Sequence, residues 1–203
     1  MNLRTTLFAQ IDAATDALQT QMPLPDYDVS LTHVLAKLEG SDLQEIFRRN
    51  FAAVRGRSME SVDELIAFLK SDSRLHGYCD PALMDRVGLQ LTAAGFIVET
   101  VYDRTRYDDY QFGITRATGA IAESGTVILD DERSSNRLAA LTPWVHIAVV
   151  QRSEIHRTIS DALAVLGKSS NIIWCTGPSK TADIEGILIE GVHGPGEQIA
   201  LFV

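Results

Sequence analysis

The first seventy residues show a helical spacing of apolar positions. Apolar residues recur at every third or fourth position over Leu3–Leu18, which predicts an amphipathic helix. Ser41–Gln44 and Ser61–Glu64 have the spacing of a capping box ahead of further helical runs. Met22–Pro25 is rich in proline and is predicted to be an extended connector. We therefore expect residues 1–70 to form a helical arm that packs on the core, mediates oligomerisation or docks a partner.

From Leu75 onward, short apolar runs alternate with helical runs. The predicted strands are His76–Cys79, Phe96–Val101, Gly125–Leu129, Trp144–Val150, Asn171–Thr176, Ile187–Gly191 and Gln198–Val203. The predicted helices are Ala82–Ala94, Gly113–Glu123, Ser153–Leu166 and Thr181–Glu185. This alternation is typical of an α/β domain with a mostly parallel sheet flanked by helices, which here spans residues 71–203.

Composition and charge narrow the classes of partner. Hydrophobic residues make up 45% of the 203 residues and charged residues 22%, which is ordinary for a single globular domain. The formal net charge is −9, and lysine and arginine are not clustered along the chain, so neither nucleic acid nor an anionic membrane is an expected partner. The N-terminus lacks the apolar core of a secretory signal, and no later run has the length of a membrane span.

The cysteine content bears on the compartment and on cofactors. Cys79 and Cys175 each lie in a predicted strand, where a thiol usually acts as a small buried hydrophobe. A disulfide framework is therefore not expected, and we predict a cytoplasmic protein. Two thiolates cannot supply the four ligands of a common iron–sulfur cluster. The spacings HxH, HExxH and CxxC do not occur, so the sequence predicts no metal site and no other cofactor.

The segment Gly177–Asp183 follows a predicted strand and carries the first candidate site. Ligands of open α/β sheets bind outside the carboxyl ends of the strands, so we expect such loops to form the site. Ser179 or Thr181 could cap the next helix, and the amides of that helix start, together with Lys180, would attract a carboxylate or a phosphate. The alternative is a plain helix start with a Gly-Pro turn.

Four further segments carry candidate chemistry. Glu123 could act as a nucleophile or general base, or could be a solvated residue in the last turn of a helix ended by Gly125. His193 lies in the glycine-rich segment Gly191–Gly196 and is placed for acid–base work. His146 is a second candidate, with a satisfied core histidine as its alternative. Arg137 could clamp an anion or belong to a solvated charged loop.

These segments together resemble the LUD-domain family, and within it the lactate utilisation protein C group. Four blocks occur in the order and at about the spacing of that family. They are Gly113–Thr126, Arg137 with Leu141–Ile147, Gly177–Glu185 and Gly191–Pro195. The resemblance covers residues 113–203 well and residues 75–109 only in their pattern. Lys180 stands where the family often has arginine, which removes bidentate geometry, and Trp144 stands where a smaller residue or proline is frequent.

The resemblance implies a fold similar to the NagB, ribose-5-phosphate isomerase and CoA-transferase group, with its site at the strand ends. It implies an accessory role in the oxidation of L-lactate to pyruvate with iron–sulfur partner proteins, and binding of a small organic acid. The alternative is a CoA-transferase-like or isomerase-like enzyme that uses Glu123, since a shared fold does not decide activity. The candidate catalytic residues are Glu123 and His193. The candidate ligand-binding residues are Ser124, Gly125, Thr126, Arg137, His146, Gly177, Pro178, Ser179, Lys180, Thr181, Asp183, Gly191 and Gly194.

Overall fold

The computed structural model describes residues 3–16, 28–134, 136–166, 169, 171–182 and 187–203. The chain divides into two compact units, Met1–Thr32 and His33–Val203. The first contains helix α1 (Leu3–Asp16) and a short 3₁₀ helix at Val29–Thr32. The helix predicted at Leu3–Leu18 is confirmed over the described residues, and the connector predicted at Met22–Pro25 lies outside them.

The second unit contains the remaining helices and all strands of the described residues. Its α-helices are α2 (Leu43–Ala53), α3 (Val62–Ser71), α4 (Leu89–Ala93), α5 (Leu138–Leu141) and α6 (Ile159–Val165). Its strands are β1 (Arg57–Met59), β2 (His76–Cys79), β3 (Ile97–Glu99), β4 (Phe112–Arg116), β5 (Gly119–Ile121), β6 (Thr126–Asp130), β7 (Val145–Val150), β8 (Ile155–His156), β9 (Ile172–Cys175), β10 (Lys180–Ala182), β11 (Leu188–Glu190) and β12 (Glu197–Phe202). None of the described helices is long and apolar enough to span a membrane.

The main sheet has six strands in the order β1-β12-β7-β4-β2-β3. Every neighbouring pair in it is parallel, which confirms the predicted α/β fold with a mostly parallel sheet. Successive side chains of a strand point to opposite faces, so each central strand contributes to two cores. On β7, Val145 and Ile147 pack in the core with α3 and α4, whereas Ala148 and Val150 pack in the core that contains Phe47 of α2. Helices thus cover both faces, as expected for parallel strands.

A second sheet lies against the core that contains α2. It has the order β8-β5-β6-β9, and β5–β6 and β6–β9 are antiparallel pairs. β10 and β11 form a separate antiparallel pair. The small residues Ala117, Ala120 and Ala122 are buried in this core together with Ala148 and Ala200 of the main sheet. Small side chains let the layers approach closely, because a protein interior is packed without large voids.

Two predicted helices are wrong and a third is shortened. Gly113–Glu123 is not helical: it contains most of β4, all of β5 and the turn that follows. Its alanines suit a helix by propensity, but pairing of β4 and β5 with distant strands overrides that local preference. Thr181 and Ala182 lie in β10, where they pair with β11, so no helix starts there. α6 begins only after Thr158, because the segment before it pairs with β5 as β8.

Side-chain caps define where several helices begin. The Ser61 hydroxyl accepts a hydrogen bond from the amide of Glu64 and caps α3, as the sequence predicts. α2 is capped by Asp42, one residue after the predicted cap Ser41. Asp80 caps a 3₁₀ turn at Pro81–Leu83, and a π-helical turn then leads into α4 in place of one continuous helix. Residues 33–70 lie in the second unit, where β1 joins the main sheet.

Candidate functional site

Three of the segments that the sequence singles out lie side by side. The hydroxyls of Thr126 and Thr176 are joined by a 2.8 Å hydrogen bond, which links the turn after β5 to the segment after β9. The amide of Ser179 donates to the carbonyl of Pro195 at 2.8 Å, and the amide of Gly191 donates to the carbonyl of Ser179 at 3.0 Å. The turn Ala122–Thr126, the segment Thr176–Lys180 and the loop Gly191–Gly196 therefore form one continuous surface, called here the three-loop junction.

The junction lies at the amino ends of the parallel strands. Gly196 directly precedes β12, and Trp144 directly precedes β7. The amide of Glu197 donates to the carbonyl of Trp144 at 3.0 Å, and both Gly191 and Gly196 pack against the Trp144 ring. The expected location at the carboxyl ends is therefore wrong for the glycine-rich loop. The reason is topological: β6 and β9 are antiparallel, and the chain passes through the β10–β11 hairpin before it enters β12 from its start.

The end of α2 supports two of the three loops. Gly177 has a φ of +76°, and a side-chain Cβ at this position would lie 2.1 Å from the carbonyl oxygen of Val54. Gly125 has a φ of +62°, and its Cβ would lie 2.4 Å from the amide nitrogen of Phe51. Left-handed backbone and close backbone approach both require glycine. The amide group of Asn50 donates to the carbonyl of Ala122 at 2.8 Å and so joins α2 to the first loop.

Glu123 lies in the tight turn between β5 and β6 and is 6% exposed. It is not a solvated residue of a helix end, because no helix is present there. One carboxylate oxygen accepts a 2.7 Å hydrogen bond from the amide of Val34, and the amide of Glu123 donates to the carbonyl of Arg157 at 3.1 Å. The next residue, Ser124, is hydrogen-bonded to the Thr126 hydroxyl at 2.7 Å. The carboxylate is therefore oriented by the protein's own backbone.

Lys180 is engaged within the protein. Its ammonium group donates to the carbonyl of Val54 at 3.1 Å and lies 3.8 Å from a carboxylate oxygen of Glu190. The same carboxylate is 2.9 Å from the guanidinium of Arg55. Lys180 therefore already has a carboxylate partner. Thr181 lies in β10 and begins no helix, so the predicted anion site at a helix start is wrong. Asp183 lies outside the described residues.

The loop Gly191–Gly196 retains polar groups that could meet a ligand. His193 is exposed, and no described residue accepts a hydrogen bond from the backbone amides of Val192, His193 or Gly194. Gly194 lies against Ser179, since a Cβ at Gly194 would be 3.2 Å from the Ser179 hydroxyl oxygen. Pro178 is buried beside them. Free amides, a hydroxyl and an imidazole are groups that can hold a carboxylate.

A cavity of about 390 Å³ opens beside this loop. Gly191 and Gly194 line it together with Trp144, Tyr110 and Arg74. Arg74 is 3.1 Å from a carboxylate oxygen of Asp72, while its second terminal nitrogen, Nη1, is buried without a hydrogen-bond partner among the described residues. Three of these cavity residues were not predicted as site residues from the sequence: Arg74, Tyr110 and Trp144. The available signal was their position, since all three immediately precede strands of the main sheet or lie within two residues of one.

His146 is a core residue on β7 and is fully buried. Its Nδ1 donates to the side-chain oxygen of Gln198 at 3.0 Å, and its Nε2 accepts from the hydroxyl of Thr115 at 2.8 Å. Burial lowers the pKa of His146 to about 4, with the hydrogen bond to Gln198 acting in the opposite direction. The imidazole is therefore neutral near pH 7. Of the two interpretations of this residue, the geometry favours the satisfied core histidine.

Arg137 immediately precedes α5, and its charge is also met internally. Its Nε lies 2.9 Å from a carboxylate oxygen of Asp131. It lines a second cavity of about 530 Å³ with Leu138 and Leu141. Leu141 connects this cavity to the junction, because its carbonyl lies 3.8 Å from the Cβ position of Gly194. An anion at Arg137 would have to compete with Asp131.

Cys79 and Cys175 are the last residues of strands β2 and β9. Burial raises the pKa of both Cys79 and Cys175 to about 12, so both thiols are protonated at neutral pH. Within the described ranges, no group of three or more histidine, cysteine, aspartate or glutamate side chains could hold a metal ion.

The fold and the junction define an α/β protein with a six-stranded parallel sheet and a glycine-rich loop at the amino ends of its strands. The sequence profile of the LUD domain matches residues 84–203, which is more than half of the chain. The chain belongs to the LUD domain family. A crystal structure of a DUF162 family protein from Deinococcus radiodurans has the same fold, with a TM-score of 0.58 and 22% identity over 79% of this chain and 96% of that one.

Several relatives are named lactate utilization protein C. The chain is 37% identical to that of Bacillus licheniformis over 98 residues, which cover 44% of this chain and 41% of the relative. It is 38% identical to that of Deinococcus radiodurans over 87 residues, covering 40% of this chain and 41% of the relative. It is 38% identical to that of Bacillus subtilis over 91 residues, covering 41% of this chain and 38% of the relative. The matched segment thus spans about two fifths of each relative.

Proposed function

We propose that this chain is an accessory component of lactate utilisation, which supports the oxidation of L-lactate to pyruvate together with iron–sulfur partner proteins. The observation that carries the proposal is its similarity, at 37–38% identity, to proteins named lactate utilization protein C. The presence of only two cysteines in the sequence agrees with it, because a common iron–sulfur cluster needs four thiolate ligands. The iron–sulfur clusters that oxidise lactate would then belong to the partner proteins. The assignment of the fold to the NagB, ribose-5-phosphate isomerase and CoA-transferase group stays a prediction.

A growth experiment tests the lactate role. Deletion of the gene in its own host is expected to slow or abolish growth on L-lactate and to leave growth on pyruvate unchanged, because pyruvate is the product of the supported oxidation. Reintroduction of the gene should restore growth on L-lactate. Unchanged growth of the deletion strain on L-lactate would contradict the accessory role, whatever the chain binds.

The cavity beside the glycine-rich loop is the proposed site for the small organic acid. Arg74 lines the cavity, and a guanidinium is a strong hydrogen-bond donor to carboxylates. Gly194, whose amide donates to no described residue, lies on another wall of the cavity. Asp72 and Asp108 also line it, and Asp72 lies 3.1 Å from Arg74, so a bound carboxylate would compete with Asp72 for the guanidinium.

Arg74→Gln is expected to weaken binding of L-lactate or pyruvate about tenfold or more, because it removes a charge-assisted hydrogen bond worth about 1.5–3 kcal/mol. Isothermal titration calorimetry measures the affinity. Arg86→Gln is the matched control, since Arg86 is an exposed arginine remote from this cavity. If wild-type protein binds neither acid, or if both variants bind equally well, the cavity is not the site.

The enzymatic alternative has its own test. Glu123 is buried in the junction and one of its carboxylate oxygens accepts from the amide of Val34, so a nucleophilic role would fall to its other oxygen. Glu123→Gln keeps the shape of the side chain and removes its charge. If a CoA-transferase or isomerase activity is measured in the wild type, we expect this variant to lose at least about a hundredfold in rate, as is typical for a nucleophile or general base. An equally active variant would exclude Glu123 as the catalytic group.

A further inference from the structure

The strand β1 leaves one edge of the main sheet open. It is the outer strand of the six and pairs with β12 alone. No described strand lies on its other side, and Arg57 on this strand is exposed. An open edge presents backbone N–H and C=O groups that can pair with another extended segment. β1 is therefore a possible place for strand addition.

A groove runs between this edge and α2. It has a volume of about 540 Å³. Its α2 wall includes Glu45, Arg48 and Arg49, and its β1 wall includes Gly56 and Arg57. The α2 residues recur at helical spacing and so lie on one face of the helix. The groove follows the strand edge, which suits an extended segment better than a compact one.

The groove is basic in an acidic protein. Three arginines and one glutamate give its ionisable lining a charge of +2, whereas the whole chain carries −9. Arg57 lies over the Phe68 ring at 4.8 Å and has no carboxylate partner among the described residues. One guanidinium nitrogen of Arg49 donates hydrogen bonds to the carbonyls of Lys37 and Glu39. A guanidinium nitrogen of Arg48 lies 3.5 Å from a carboxylate oxygen of Glu60. Guanidinium nitrogens thus remain for carboxylates of another molecule.

The charge also argues against the other occupants. A second copy of the chain, added edge to edge, would bring its own Arg48, Arg49 and Arg57 against these, and like charges across a strand pair destabilise it. A single small anion would meet exposed arginines in an open groove, where an individual ion pair contributes little. An acidic extended segment gains both carboxylate contacts and main-chain hydrogen bonds.

We propose that the groove between α2 and the free edge of β1 binds an extended acidic segment of another protein by strand addition. The segment continues the main sheet as a seventh strand. Its carboxylates contact Arg48 on the α2 side and Arg57 on the α3 side from adjacent positions, because successive side chains of a strand point to opposite faces of the sheet. This surface is distinct from the three-loop junction, so it does not depend on the proposed role in lactate utilisation.

The probe is a capped, fluorescently labelled heptapeptide in which adjacent pairs of glutamates alternate with single valines, titrated with the full chain and followed by fluorescence anisotropy. We expect saturable binding, and we expect about a tenfold loss of affinity in the double variant Arg48→Gln, Arg57→Gln. Arg86→Gln, which removes the same kind of charge from another surface, should bind as the wild type does. Both altered side chains are exposed, and thermal melting checks that each variant is folded.

Two further peptides separate the contribution of the carboxylates from that of the main-chain hydrogen bonds. A heptapeptide with lysine in place of glutamate should not bind, and one N-methylated at alternate backbone nitrogens should bind about tenfold more weakly, because it cannot complete the ladder. Equal binding of the N-methylated peptide, or full displacement by inorganic phosphate alone, would indicate a simple anion site and overturn the proposal. So would a dimer in size-exclusion chromatography that the double variant dissociates, or absence of binding by the acidic peptide.

Discussion

Gly177→Ala is expected to lower the free energy of unfolding by about 3 kcal/mol or more. An L-residue with a left-handed backbone costs about 1–2 kcal/mol, and Gly177 has a φ of +76°. The new methyl group would also lie 2.1 Å from the carbonyl oxygen of Val54, so backbone must move, at a further cost of about 1–3 kcal/mol. Chemical denaturation measures the change.

Gly95→Ala is the matched control for this variant. Gly95 also has a positive φ, of +94°, but no heavy atom lies within 4 Å of its Cβ position. Gly95→Ala should therefore lower the free energy of unfolding only by the cost of the left-handed backbone, about 1–2 kcal/mol. If the two variants were equally destabilised, the close approach between Gly177 and the end of α2 would be wrong, and with it the support of the junction by that helix.

The unfolding free energy should also depend on pH through His146. Its pKa is about 4 in the folded protein and about 6.5 in the unfolded chain. Between these values the unfolded state binds more protons, so stability is greatest above pH 6.5 and falls as the pH is lowered towards 4. The contribution lost over this interval is about 3 kcal/mol, since one pKa unit corresponds to about 1.4 kcal/mol.

His146→Gln isolates this contribution because glutamine does not titrate and can still meet Thr115 and Gln198. The difference in unfolding free energy between wild type and variant should be largest at pH 7 and smaller by about 3 kcal/mol at pH 4. Nitrogen chemical shifts of the imidazole should show a proton on Nδ1, the atom that donates to Gln198. Parallel pH profiles for the two proteins would refute a depressed pKa at this position.

The glycines of the candidate site were predicted from the sequence, whereas the roles of its charged residues were not. Gly177, Gly191 and Gly194 were identified because glycines and prolines indicate special backbone, and the structure brings these residues together. Lys180 was interpreted as a free cation, but Glu190 lies 3.8 Å from it across the β10–β11 pair. Such a partner is visible only once the hairpin is formed. Arg74 was missed because a single arginine before a strand has no motif.

The sequence by itself determined the alternation of strands and helices, four of the six strands of the main sheet and several helix starts, but not β1 or β4. Strand β2 and the Ser61 cap follow from side chains close in the chain, where alternation and capping act over a few residues. Only the tertiary structure decided that Gly113–Glu123 forms strands, that the glycine-rich loop lies at the amino ends of the sheet, and that His146 is a neutral core residue. Each of these depends on partners distant in sequence, whose backbone pairing and burial outweigh local propensity.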